Sequence, residues 1–224
     1  DSSVTGVQTW LFRLGSTVRT HPEWLKPFLA IPDRVVRSDL TRFDTDGNDQ
    51  TRPGAILILL GEGEDGPDVV ITERSADLRA HAGQPSFPGG AIDATDSDAV
   101  ATALREAEEE IGISRVDLEV FGVLPNLWLP PSNFLVTPVM AWWHTPKFHS
   151  MPQSNEVSRV ERIPLTHLVN PTNRLRVAHP NGFVSAAFDV AGMRIWGFTG
   201  NILDRLIALA DLEQDWDQDR ILPL

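Results

Sequence analysis

The sequence predicts an α/β fold in which a mixed β-sheet carries helices on its faces. Segments of strand length, rich in Val, Ile, Leu, Phe and Trp, outnumber the two or three segments with helical periodicity. The 224 residues are 42% hydrophobic and include seven Trp, enough for a large core and against disorder. We expect residues 1–50 to form an N-terminal helical extension and loop that pack on the domain formed by residues 51–224.

Charge and cysteine content exclude several classes of protein. There are 31 Asp and Glu against 19 Lys and Arg, a net charge of −12, which disfavours binding to a nucleic-acid backbone. With no Cys, the chain has no disulfide scaffold, thiolate zinc site, iron–sulfur cluster or cysteine nucleophile. The sequence contains no run of about 18 apolar residues, the length that would predict a membrane span. We therefore expect a cytoplasmic protein that binds neither nucleic acid nor membranes, and a homodimer stays open.

Two apolar runs at 55–60 and 68–72 predict strands on either side of residues 61–66 (GEGEDG). These glycines match the dinucleotide fingerprint G-x-G-x-x-G, but that motif requires a helix directly after it. Because Pro67 and a strand follow instead, we interpret the segment as a hairpin turn. Further strands are predicted at 116–124, 134–143, 157–163, 183–188 and 193–196, and a closing helix at 201–209.

Residues 86–113 contain a glycine pair followed by an acidic, amphipathic helix. Thr95, Asp96 and Ser97 are predicted to cap its N-terminus, and Gly112 to end it. The apolar residues of its buried stripe recur at helical spacing: Val100, Ala103, Leu104, Ala107 and Ile111.

Helical periodicity divides the four glutamates of this helix. At about 100° per residue, Glu106 and Glu110 lie one turn apart beside the buried stripe, Glu109 flanks the same side and Glu108 points elsewhere. Like charges at this spacing destabilise a helix by about 0.2–0.5 kcal/mol, and a hard divalent cation would offset that cost. The alternative is a solvated acidic face, and the spacing alone leaves both open.

The second half of this segment, residues 105–113 (REAEEEIGI), resembles the Nudix box G-x5-E-x7-R-E-U-x-E-E-x-G-U, where U is apolar. It matches at every fixed position. The first half departs from the pattern, because Gly90 is one residue too far from Arg105 and Ser97 occupies the position of the first Glu.

Residues 71–90 (ITERSADLRAHAGQPSFPGG) resemble the motif L-L-T-x-R-S/A-x3-R-x3-G-x3-F-P-G-G of coenzyme A pyrophosphatases, which often carry the same one-residue extension. The resemblance implies the Nudix fold, an α/β/α sandwich with a mixed β-sheet. It also implies cleavage of a small-molecule nucleotide, coenzyme A, into 4′-phosphopantetheine and adenosine 3′,5′-bisphosphate, with Mg²⁺ or Mn²⁺ as cofactor.

By this resemblance, the box residues have the metal-binding and catalytic roles. Glu106 and Glu110 would be the main metal ligands, and Gly90 would offer its backbone carbonyl. Glu109 would be a third ligand or the base that activates water. Arg105 would orient a box carboxylate.

The motif before the box predicts a substrate site. Its basic side chains suit the phosphates of a coenzyme A-like nucleotide, although each alone is more often a surface charge. Phe87 either stacks on a ligand or packs the loop. The predicted substrate-binding residues are Arg74, Arg79, His81, Gln84, Phe87 and Gly89.

Alternatives remain at this stage. Glu156 is a second candidate for the base, with a surface acid as its other interpretation. The substrate could be another nucleoside diphosphate derivative, such as ADP-ribose or NADH. A Nudix-fold binding or regulatory module without catalysis is a third reading, against which the intact Glu106, Glu109 and Glu110 argue.

Overall fold

The computed structural model describes residues 19–76, 83–146, 154–180 and 182–224. The helices are α1 (Lys26–Leu29), α2 (Ile31–Arg34), α3 (Arg37–Leu40), α4 (Ala99–Ile111), α5 (Leu165–Val169) and α6 (Gly197–Leu209), with 3₁₀ turns at Glu23–Leu25, Arg115–Asp117 and Pro171–Asn173. The strands are β1 (Arg52–Gly63), β2 (Gly66–Arg74), β3 (Pro85–Ser86), β4 (Gly89–Ala91), β5 (Leu118–Val123), β6 (Leu127–Leu129), β7 (Phe134–Trp143), β8 (Val157–Pro164), β9 (Arg174–Ala178), β10 (Val184–Val190), β11 (Met193–Ile195) and β12 (Ile221–Pro223).

An eight-stranded mixed sheet has the path β3-β2-β1-β7-β5, with β4 paired to β1, β6 to β7 and β8 to β2. β1 and β7 are parallel, whereas the other pairs are antiparallel. The predicted α/β fold with a mixed sheet is confirmed. Gly63 pairs with Gly66 across a two-residue turn, which confirms the hairpin interpretation of residues 61–66.

The side chains of β1 alternate between two cores because successive residues of a strand point to opposite faces. Leu57 and Leu59 pack with the apolar stripe of α4 on one face. Ile58 and Leu60 pack with α6 and with the short N-terminal helices on the other. The sheet therefore lies between two helical layers.

The first 3₁₀ turn and the N-terminal helices contribute fully buried residues, among them Leu25 and Ile31, to the core shared with α6. Residues 1–18 lie outside the described part of the chain, and the boundary at residue 50 stays a prediction. A second sheet has the order β11-β10-β9-β12. Among the described residues, no helix is long and apolar enough to cross a membrane.

The start of α4 differs from the prediction. Asp98, and none of Thr95, Asp96 or Ser97, is the N-cap residue, and its side chain accepts a hydrogen bond from Ala101 N at 2.9 Å. Gly112 ends the helix with φ +69°, as predicted, because glycine adopts the left-handed conformation without strain.

Candidate active site

The glycine pair lies between β1 and α4. Gly90 pairs with Ala55 in the ladder between β4 and β1, so its backbone faces the helix that packs over Ala55. A Cβ atom on Gly90 would come within 2.4 Å of Glu106 Oε1. The carboxylate of Glu106 therefore rests directly on the Gly90 backbone, in a space that only glycine leaves free.

Glu110 is a buried acid that accepts a hydrogen bond from the backbone. It is 5% exposed, and its Oε2 accepts a hydrogen bond from the backbone N–H of Gly89 at 3.2 Å. Burial raises the pKa of Glu110 to about 8, the Gly89 bond lowers it in part, and the negative charge of Glu106 raises it further. This carboxylate therefore needs a nearby cation in order to be fully ionised at neutral pH.

Two side chains from distant parts of the sequence join the helix here. Arg74, at the end of β2, forms an ion pair with Glu156 at 3.7 Å, and Ser75 N donates to Glu156 O at 2.7 Å. The charges of Arg74 and Glu156 act in opposite directions on the pKa of Glu110. The pKa of Glu106 is also raised, mainly by burial, and Glu156 adds to that rise. The structure thus brings Glu106, Glu110, Glu156 and Arg74 together.

Arg105 is the cation that organises the remaining carboxylates. Its Nη1 lies 3.0 Å from Glu106 Oε1 and 3.1 Å from Glu109 Oε2. On its other edge, Nε and Nη2 donate to the two oxygens of Asp96 at 3.0 and 2.9 Å. A guanidinium in this bidentate geometry is fixed in position and orientation.

Asp96 is the residue whose role the sequence interpretation missed. Its side chain is 5% exposed and also accepts hydrogen bonds from Thr102 Oγ1 and Asp93 N, both at 2.9 Å. The hydrogen bonds from Arg105 hold its pKa well below the usual range. The sequence did contain a signal for this role. Ser97 occupies the position of the first Glu of the box, and the residue directly before it, Asp96, is an acid.

We expect Asp96→Asn to reduce kcat/KM about tenfold, because an amide offers Arg105 a single weaker acceptor and Arg105 then positions Glu106 less well. Steady-state kinetics with Asp93→Asn as a neighbouring control would measure this, and Asp96→Glu should restore part of the loss. Equal kinetics for wild type and Asp96→Asn would exclude a positioning role.

The donor set fits a divalent metal ion only in part. Hard carboxylate oxygens from Glu106 and Glu110 suit Mg²⁺ or Mn²⁺, and their raised pKa values reflect uncompensated burial. Within the described ranges, however, no three His, Cys, Asp or Glu side chains converge closely enough to form a complete metal centre. Arg105 holds Glu109, and Mg²⁺ commonly takes only one or two protein carboxylates with water and substrate oxygens.

The other predicted site residues have varied positions. The Gly90 carbonyl oxygen faces β1, 2.8 Å from where a Cβ on Gly54 would lie, so its metal role stays a prediction. The backbone oxygen of Gln84 accepts a hydrogen bond from the backbone N–H of Arg74 at 3.1 Å. Phe87 is 2% exposed and packs in the core, which favours the packing interpretation. Arg79 and His81 lie outside the described residues.

Comparison with known proteins identifies the class of this site. Residues 50–182 match the NUDIX domain family. Since the match spans more than half of the chain, the protein belongs to the Nudix family. Hydrolysis of a diphosphate bond is the activity that this membership supports.

Individual relatives agree with this assignment. The chain is 38% identical over 152 residues to a protein of Citrobacter koseri named uncharacterized Nudix hydrolase NudL, over 68% of this chain and 76% of that protein. The protein of the same name from Enterobacter sp. strain 638 is 35% identical over 194 residues, covering 84% and 93%. The fold is similar to that of RenU, a Nudix hydrolase from M. smegmatis, with a TM-score of 0.52 and 18% identity over 75% of this chain and 90% of that one.

Proposed function

We propose that this protein hydrolyses the pyrophosphate bond of coenzyme A or acyl-CoA in the cytoplasm, with Mg²⁺ or Mn²⁺. The products are 4′-phosphopantetheine, or its acyl form, and adenosine 3′,5′-bisphosphate. Membership of the Nudix family supports cleavage of a diphosphate bond. The resemblance of residues 71–90 to the coenzyme A pyrophosphatase motif supports coenzyme A as the substrate.

The observation that carries the proposal is the position of Arg74, the first arginine of that motif. It lies at the carboxylate cluster of the box, and its buried Nε has no hydrogen-bond partner within the described part of the chain. A buried donor without an acceptor costs about 1–3 kcal/mol. A pyrophosphate oxygen bound at the cluster would accept from it, so the coenzyme A motif and the box would act on one substrate.

The chain's own residues supply positioning and proton transfer. Glu106 and Glu110 would hold the metal ion, which neutralises phosphate charge and lowers the pKa of bound water when present. Arg105 keeps Glu106 oriented through its bond to Asp96. Glu109 serves as a further ligand, and Glu156 is the carboxylate available to accept a proton from water.

The proposal is tested by incubating the purified protein with Mg²⁺ or Mn²⁺ and coenzyme A, acetyl-CoA, ADP-ribose or NADH, and by separating the products chromatographically. We expect 4′-phosphopantetheine from coenzyme A, and no product in excess EDTA. Hydrolysis of only ADP-ribose or NADH would replace the substrate while keeping the reaction. Binding without hydrolysis of any compound would indicate a module that has lost catalysis.

A further inference from the structure

A single segment, residues 85–90, carries the glycine pair across the sheet to the candidate metal ligands. It begins as β3, which pairs with β2, and ends in β4, which pairs with β1. Gly89 N donates to Glu110 Oε2 at 3.2 Å, and Gly90 lies against the carboxylate of Glu106. A displacement of this segment therefore changes the position of both carboxylates.

The composition of the segment gives it little backbone hydrogen bonding of its own. Pro85 and Pro88 have no N–H to donate, and the glycines at its end disfavour strands. Pro88 O accepts a hydrogen bond from Leu57 N of β1 at 2.8 Å, which fixes the middle of the segment. The start of the segment, the two-residue strand β3, is held by side chains as well.

Two buried threonine hydroxyls bind consecutive carbonyl groups of β3. Thr199 Oγ1, in the first turn of α6, donates to Pro85 O at 3.2 Å. Thr72 Oγ1, in β2, donates to Ser86 O at 3.0 Å and lies 3.1 Å from Ser86 Oγ. Thr199 is 5% exposed and Thr72 is 1% exposed. Because water does not compete for hydrogen bonds at such buried positions, the two hydroxyls restrain β3 from two different elements.

We propose that Thr72 and Thr199 are positioning residues of the active site. Their hydroxyl groups fix β3, and the short connection from β3 to the glycine pair transmits this restraint to Glu106 and Glu110. The inference rests on the proposed function, because its consequence is tighter binding of the divalent ion by these two carboxylates. Groups that orient metal ligands without touching the metal commonly change metal affinity by about 10–100-fold.

Hydrogen exchange of the Gly89 amide, measured by NMR on the metal-free protein, tests the positioning directly. Thr72→Val and Thr199→Val each remove one hydroxyl and keep nearly the same side-chain shape. We expect each variant to speed exchange at Gly89 about tenfold relative to Met140 in the middle of β7, the effect of losing one hydrogen bond. Thr72→Ser and Thr199→Ser keep the hydroxyl and should restore most of the protection.

Calorimetric titration with Mn²⁺ measures the consequence for the metal site. Both valine variants should bind Mn²⁺ about tenfold more weakly than the wild type, whereas the serine variants should bind it nearly as tightly. The matched control is Thr172→Val, which removes a hydroxyl that is bonded to Asn170 Oδ1 at 2.8 Å in the 3₁₀ turn Pro171–Asn173. This control should change neither the exchange at Gly89 nor the affinity for Mn²⁺.

Exchange at Gly89 that stays at the wild-type rate, or rises only by the factor seen at Met140, would overturn the inference, because the hydroxyls would then contribute to general stability alone. Wild-type affinity for Mn²⁺ in both valine variants would overturn it as well, as would a wild type that binds no Mn²⁺. Neither measurement needs a substrate, so a protein that binds Mn²⁺ but hydrolyses none of the tested compounds contradicts only the proposed function. Since Thr72 and Thr199 lie on different elements, a variant of one that fails to fold leaves the other to decide.

Discussion

Glu110→Gln is expected to abolish turnover and, at the same time, to stabilise the metal-free protein near neutral pH. Turnover should fall by at least about 10³-fold, because the amide removes a charged metal ligand from the reaction centre. The fold should tolerate the change, since glutamine has nearly the same volume and its carbonyl oxygen can still accept from Gly89 N.

The gain in stability follows from the direction of the pKa shift. The pKa of Glu110 is about 8 in the folded protein, against 4.5 for an unperturbed glutamate, so between these values the folded state binds more protons than the unfolded state. Stability therefore falls as pH rises from 4.5 towards 8, and the cost is complete above pH 8. Glutamine does not ionise and avoids this cost, about 4 kcal/mol at pH 8.

Chemical denaturation in EDTA at several pH values between 5 and 8 measures the effect as a difference between wild type and variant. Glu108→Gln is the matched control, because Glu108 lies on the same helix, is half exposed and pairs with Arg115. Saturating Mg²⁺ should reverse the order of stability, since only the wild type has both ligand carboxylates. Turnover retained by Glu110→Gln at saturating metal would refute the ligand assignment, and identical pH slopes of wild type and variant would refute the raised pKa of Glu110.

Helical periodicity was sufficient to sort the glutamates of α4. The wheel that set Glu110 at the edge of the apolar stripe and Glu108 on another side agrees with side chains that are buried and half exposed, respectively. The period of a helix is local, so a single sequence contains it. The same holds for β1 and β7, whose apolar runs predicted half of the length of β1 and the full length of β7.

The parts of the site that depend on long-range pairing could not be derived from local patterns. Glu156 reaches the site because β2 pairs with β8, with Arg74 opposite Val157 more than 80 residues along the chain. The strand β4 (Gly89–Ala91) has a composition that disfavours strands, and it forms because it pairs with β1. Residues Thr95 to Asp98 are all of types that cap helices. The sequence therefore could not show that Asp98 is the N-cap residue and that Asp96 binds Arg105.

Loss of the general base is the second change for which we expect a large effect. The two candidates for this base are Glu109 and Glu156. Glu109 accepts a hydrogen bond from Arg105 Nη1 at 3.1 Å, which engages one of its oxygens. Among the described residues, Glu156 forms an ion pair with Arg74 at 3.7 Å, beyond hydrogen-bond distance. The charge of Glu156 acts on both Glu106 and Glu110. A carboxylate with free lone pairs beside the ligands is the better proton acceptor.

We therefore expect Glu156→Gln to lower kcat by about 10²–10⁴-fold at saturating metal, the range typical of a lost general base. Glu109→Gln should instead raise the Mg²⁺ concentration needed for half-maximal activity, with most of kcat recovered at high metal, because a ligand rather than a base has been weakened. Pre-steady-state and steady-state rates of both variants, measured across Mg²⁺ concentration, separate the roles. The opposite pattern, with kcat lost at saturating metal in Glu109→Gln and the metal requirement raised in Glu156→Gln, would exchange the two assignments, since each variant serves as the control for the other.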